Sequence, residues 1–188
     1  MDTTPCDYTQ LAHYRHTVAE LYAAVRANPD HAQAAQHWRA ARDDLFRTHP
    51  VSALTQAQKA GFTGLNYAAY DPAWRLDVLL DRDVNAETFT VELPEGTLHY
   101  RRFACVHFTT PRGDDGRLAL FWLMGYGGGL FLPFRDASNG ETTYGGGRYL
   151  LDTIKGADLG INGDTITLDF NFAYHPSCHY NDRSICPL

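Results

Sequence analysis

The chain has 188 residues, 44% of them hydrophobic and 13% aromatic, with a formal net charge of −6. That length is enough to bury one substantial core, and a composition rich in aromatic residues and glycine excludes disorder for most of the chain and favours strands and tight turns. The acidic balance, with a pI of about 5.8 and adjacent arginines only at Arg101-Arg102, excludes a phosphate backbone as the main partner, so no nucleic acid is expected.

Met1 to Asp7 lacks the basic region and apolar run of a secretion signal, and no window approaches the roughly 18 apolar residues of a membrane span. The expectation is a soluble cytoplasmic protein with no membrane partner. Its cysteines, Cys6, Cys105, Cys178 and Cys186, are too scattered for a disulfide scaffold. A reducing compartment keeps most of them as thiols.

In Tyr8–Asn28 the apolar residues Leu11, Tyr14, Val18, Leu21, Tyr22 and Val25 recur at the spacing of an amphipathic helix. Pro29 disfavours helical backbone at Asn28 and opens a second helix carrying Ala34, Ala35, Trp38, Ala41, Leu45 and Phe46 on one face. Together they predict a helical hairpin, with His13, His16, His31 and His37 as surface imidazoles. A short helix over 52–60, capped by Ser52 and stopped by Gly61, ends a helical N-terminal segment, residues 1–60.

The period then changes. Gly64–Tyr70 reads as a short strand, and Trp74, Leu76, Val78 and Leu80 alternate along the next. Phe89–Leu93 and Thr97–Phe108 form a hairpin signal around Pro94-Glu95-Gly96, and a second hairpin brings back Arg117–Met124. After the glycines at 125 and 127–129 comes Leu130–Arg135, which Asn139-Gly140 joins to Glu141–Tyr144 as the strongest hairpin signal in the chain. The segment 145–151 and the turn at Asn162-Gly163 lead into a last strand, Thr165–Ala173. Roughly seven or eight strands on short links predict an α+β fold, with the N-terminal helices packed on a curled antiparallel β-sheet, barrel or sandwich, over residues 61–188 and one shared core.

The glycine clusters do not lie between a strand and a helix, and no Gly-Lys-Ser/Thr occurs, so nucleotide phosphate binding is not expected. The chemistry concentrates instead near the C-terminus. In an alternating last strand Asp169 and Asn171 share a face, with Tyr144, Arg148, Tyr174 and His175 as neighbours if that strand pairs near 141–151. In a concave cavity Asp169 or His175 would act as base, Tyr144 as donor to developing negative charge, Arg148 as anion clamp and Asn171 as positioning amide, with Tyr174 on the ligand. The plainer alternative is a buried pair of Asp169 and Arg148. His175, Cys178, His179 and Cys186 have donor atoms suited to zinc or copper, though their spacing matches no familiar pattern. A Cys178–Cys186 disulfide and packed thiols are the alternatives.

Leu130–Gly140, Thr143–Leu150 and Leu168–Tyr174, with Pro176, Cys178, Cys186-Pro187-Leu188 and the earlier Gly61–Leu65, resemble domain-of-unknown-function family 1684 over roughly residues 38–188. The family is bacterial and archaeal and uncharacterised, so the resemblance implies an alignment without a reaction. Its members extend past the Cys-Pro-Leu in a proline-rich tail; where that tail closes the pocket, the resemblance implies a protein that is either trimmed or more open here. His175 and His179 replace less basic residues, which implies a specialised rather than a family-wide metal site.

The reading is a small-organic-ligand-binding β-barrel protein. Asp169, His175, Tyr144 and Arg148 are its candidates for acid–base catalysis. A metal-dependent enzyme and a non-catalytic binding module are the alternatives. No cofactor is required by the sequence, and zinc or copper belongs to the metal-dependent alternative alone.

Overall fold

A computed structural model describes residues 7–93 and 96–181. Helix α1, Tyr8–Ala27, starts at Asp7, whose carboxylate accepts from the Thr9 and Gln10 amides. It ends where Asn28 turns extended ahead of Pro29. Helix α2, His31–Thr48, is capped by Asp30 rather than opened by the proline, and α3, Gln56–Ala60, is capped by Thr55 in a reciprocal box with Gln58. Ser52 is not that cap. It is buried, donating to the Phe46 carbonyl and accepting from the Leu54 amide, and so fixes the link between α2 and α3.

Eight strands follow in the described residues: β1 Arg75–Asp81, β2 Thr88–Leu93, β3 Gly96–Thr109, β4 Asp115–Leu123, β5 Gly129–Phe134, β6 Arg148–Asp152, β7 Ile161–Asn162 and β8 Thr165–Asp169. Every pairing is antiparallel, in the order β6-β5-β4-β3-β1-β8-β7 with β2 on the free part of β3. The sheet curls into a half-barrel with the N-terminal helices packed against it. One face carries Ala104, Val106, Leu120, Leu132, Leu150, Ile166 and Leu168, which close on Leu21, Tyr22 and Val25 of α1 and Ala34, Ala35 and Trp38 of α2. Trp38 is fully buried at the centre, and truncating such a side chain costs about 3–5 kcal/mol. A smaller cluster on the other face joins Leu123, Phe131 and Tyr149. Helix α1 meets the end of β6 where Gly156, at φ 85°, lies against the Ala19 backbone, so close that a Cβ there would sit 2.8 Å from the Ala19 nitrogen.

Two expected elements are absent and a third is shorter than expected. Residues 62–70 form no strand. Asn139-Gly140 joins no hairpin, because side chains have taken the backbone groups a ladder would use. The Asp136 amide donates to Asn139 Oδ1, the Ser138 amide donates to Asp136 Oδ1, and Asn139 Nδ2 donates to the Tyr144 carbonyl. Strand β5 therefore pairs with β6 instead. The last strand stops at Asp169, and Phe170–Phe172 is a 3-10 turn.

Candidate functional site

The 3-10 turn rearranges the predicted C-terminal constellation. At Asp169 the chain leaves β8, and Asp169 Oδ1 accepts from both the Asn171 amide at 3.0 Å and Asn171 Nδ2 at 2.8 Å. The rest of the Asn171 carboxamide holds the Asp71 backbone, accepting from its amide and donating to its carbonyl, each at 2.9 Å. Asp169 is fully buried with Arg75 Nη1 3.6 Å from its Oδ2. These two residues thus fasten the segment before β1 to the segment after β8.

Arg148 is elsewhere. Its Nη2 donates to Asp136 Oδ2 at 2.6 Å, and its guanidinium lies over the Phe134 ring. The alternative of an Asp169–Arg148 pair is therefore replaced by two pairs, Asp169–Arg75 and Asp136–Arg148. The Asp136 carboxyl sits below its usual range: burial opposes the shift, and its bonds with Ser138 and Arg148 outweigh burial.

Tyr144, His175 and His179 do converge. The His175 and His179 rings lie 4.3 Å apart and the Tyr144 and His179 rings 5.0 Å apart, while the Tyr144 amide donates to His175 Nε2 at 3.4 Å. Burial, with His179, Arg148 and Arg42 nearby, lowers the His175 pKa to about 4, so the imidazole is neutral near pH 7. Tyr174 points the other way, edge-on to Tyr149 and under the Arg42 guanidinium. Among the described residues no group of three or more His, Cys, Asp or Glu is placed to hold a metal ion. Cys178 is half-buried, and Cys186, its candidate partner for a disulfide or a metal, lies outside the described residues.

A cleft the sequence did not suggest opens at one end of the curled sheet. It has a volume of about 460 Å³ and is lined by Arg82, Val84 and Ala86 after β1, Arg101 and Phe103 of β3, and Trp122 and Met124 at the end of β4. Arg101 faces Trp122 directly across the β3–β4 ladder, and the bulge between Arg102 and Ala104 inserts Phe103 beside them. Trp122 and Met124 stay nearly half exposed, at 46% and 47%. Arg82 is paired with exposed Asp164 at 2.7 Å, and Arg102, on the opposite face, with Glu87. Arg101 has no ion pair among the described residues. The adjacent Arg101-Arg102 and the large apolar residues near the glycines were the available signals. Only the register across β3 and β4 unites them.

Among the described residues no helix is long and apolar enough to cross a membrane. The family model described as "Protein of unknown function (DUF1684)" matches residues 60–188. The chain is also similar to an uncharacterised protein of Haloarcula marismortui solved by solution NMR, with 32% identity, a TM-score of 0.58, and coverage of 83% of this chain and 84% of that one. No curated protein matches the sequence.

Proposed function

Given that the chain belongs to the DUF1684 family of proteins of unknown function, we propose that it binds a small organic anion in the cleft at the mouth of its half-barrel. The observation that carries this reading is the pairing of an uncompensated guanidinium, Arg101, with the exposed Trp122 ring across one ladder. The cleft volume falls within the range of about 300–1,000 Å³ typical of small-molecule sites. Its lining combines apolar area with a fork of N–H donors suited to a carboxylate or phosphate. An aromatic or branched carboxylate matches both features.

The test is a titration with benzoate and with uncharged benzamide, read on tryptophan emission, with Trp122→Phe as the control that assigns the signal to Trp122 rather than to Trp38 or Trp74. Saturable quenching by benzoate that is absent with benzamide and lost in Arg101→Ala is the expected result. Equal responses to both compounds, or to neither, would reject it.

A second reading keeps the acid–base chemistry near the C-terminus. Its support is the neutral His175 imidazole beside Tyr144 and His179. His175 acts as a base in this reading only by releasing the Tyr144 amide, with Arg148 as the anion clamp. Asp169 and Asn171 enter it as the rigid support of the loop. Turnover abolished by His175→Gln with the fold intact is the outcome it requires.

A further inference from the structure

Helix α2 carries two arginines, Arg39 and Arg42, that share a face three residues apart and make no ion pair among the described residues. Rings surround them. The Arg42 guanidinium lies 5.3 Å from the Trp38 ring centroid, 4.9 Å from Phe46 and 5.0 Å from Tyr174, and Arg39 lies 5.1 Å from Tyr67. Aromatic faces stabilise the flat surface of a guanidinium but leave its in-plane N–H groups unbonded. Arg39 directs one amino group to the Asn171 carbonyl at 3.4 Å, and its Nε has no partner.

The surrounding groups are in the same condition. The hydroxyls of Tyr22 and Tyr67 and the Trp38 indole N–H are buried with no partner in good hydrogen-bond geometry, Tyr22 meeting only Trp38 and Tyr67 only Arg42, and Tyr22 and Trp38 are 2% and 0% exposed. Their rings pack together, Trp38 lying 5.9 Å from Tyr22 and 5.7 Å from Tyr67. Asp43, whose field reaches Tyr67, spends an oxygen on the Leu65 amide. One neighbourhood therefore gathers two cations and three polar groups that meet only one another and in poor geometry, each able to donate. Buried groups of this kind are costly unless water or a ligand meets them. Water supplies acceptors but no negative charge.

From this convergence we propose that Arg39, Arg42 and Tyr67, with Trp38 and Tyr22 behind them, bind a small oxyanion, a carboxylate or phosphate group, between α2 and the segment leading to β1. Burial works against the Arg42 charge, but the phenols of Tyr67, Tyr180 and Tyr14 more than offset it, so the guanidinium holds its proton more firmly than usual. The site is distinct from the cleft at Arg101.

The test is thermal melting of the full chain against inorganic phosphate and, separately, acetate, with sodium chloride at matched ionic strength as reference. Binding to the folded state raises Tm in a saturable way, and a rise with either probe beyond that of chloride is the expected result. Tyr67→Phe removes a hydroxyl whose one neighbour is the Arg42 guanidinium, keeps the ring that packs on Trp38, and weakens the response about tenfold while the chain still melts cooperatively. Arg39→Gln abolishes the response and Arg101→Ala keeps it. A wild-type chain that answers both probes as it answers chloride overturns the proposal without any variant. A response kept in Arg39→Gln but lost in Arg101→Ala overturns it too, by assigning the anion to the cleft.

Discussion

Asn171 donates its side-chain amide to Asp169, two residues earlier, at 2.8 Å, and the same Asp169 oxygen accepts the Asn171 backbone N–H. In a continuous strand these side chains would stand side by side, pointing away from the backbone. The 3-10 turn at Phe170–Phe172 folds them onto each other and aims the carboxamide at Asp71.

Asn171→Ala is therefore expected to lower stability by about 2–3 kcal/mol, since it leaves the Asp71 backbone amide and carbonyl without partners and removes one of the two bonds to a buried Asp169 oxygen. Urea denaturation checks this. Because Asp71 precedes β1 and Asn171 follows β8, amide exchange in 71–75 and 165–169 should accelerate together.

In the cleft, Arg101→Ala is expected to weaken binding of an aromatic carboxylate by about tenfold or more, the equivalent of 1.4 kcal/mol. Trp122→Ala should weaken the uncharged part of the same ligand to a similar degree. Calorimetric titration of benzoate separates the two, since only the Arg101 variant loses its dependence on ionic strength.

Gly128 sits at φ 52°, and a Cβ on it would lie 2.5 Å from Trp122 Nε1. Gly128→Ala is expected to cost about 1–2 kcal/mol in left-handed backbone and to push the indole out of place. A shifted emission maximum together with weaker benzoate binding would report both effects.

His175 governs the response to mild acid. Its pKa falls from 6.5 to about 4 on folding, chiefly through burial and then through His179, Arg148 and Arg42. An imidazole that is a weaker base in the folded chain takes up its proton more readily when unfolded, so stability is full above pH 6.5 and declines toward pH 4. His49, whose pKa is lowered by burial, His13 and Lys59, acts in the same direction. Equilibrium unfolding across pH 7 to 4 should show this loss, and His175→Gln should flatten the curve without removing the His49 share. The Asp136 contribution has the opposite charge type and is lost only as pH falls below 3.8.

Much of the framework could be read from local pattern. The three-and-four spacing in α1 and α2 marked Leu21, Tyr22, Val25 and Trp38 as core, alternation located β1, and turn residues between apolar runs located β2 through β5, because each signal reports a local segment meeting one surface or reversing direction. It was less reliable where polar side chains compete with the ladder. Asn139-Gly140 became a side-chain-bonded loop and Asp169 ended its strand early, both through short carboxylate or carboxamide groups reaching nearby amides.

Residue order therefore indicated most of the helices and strands, and it offered Tyr144 and His175 as neighbours only on the condition that the last strand paired near 141–151. It carried no trace of Arg101 opposite Trp122, of Asp169 held by Arg75, or of Arg39 and Arg42 among the rings of Tyr67 and Tyr174. Those meetings join positions far apart along the chain and depend on strand register, on one bulge and on the angle at which helices settle on a curved sheet. Such quantities arise from packing of the whole molecule, and no local periodicity encodes them.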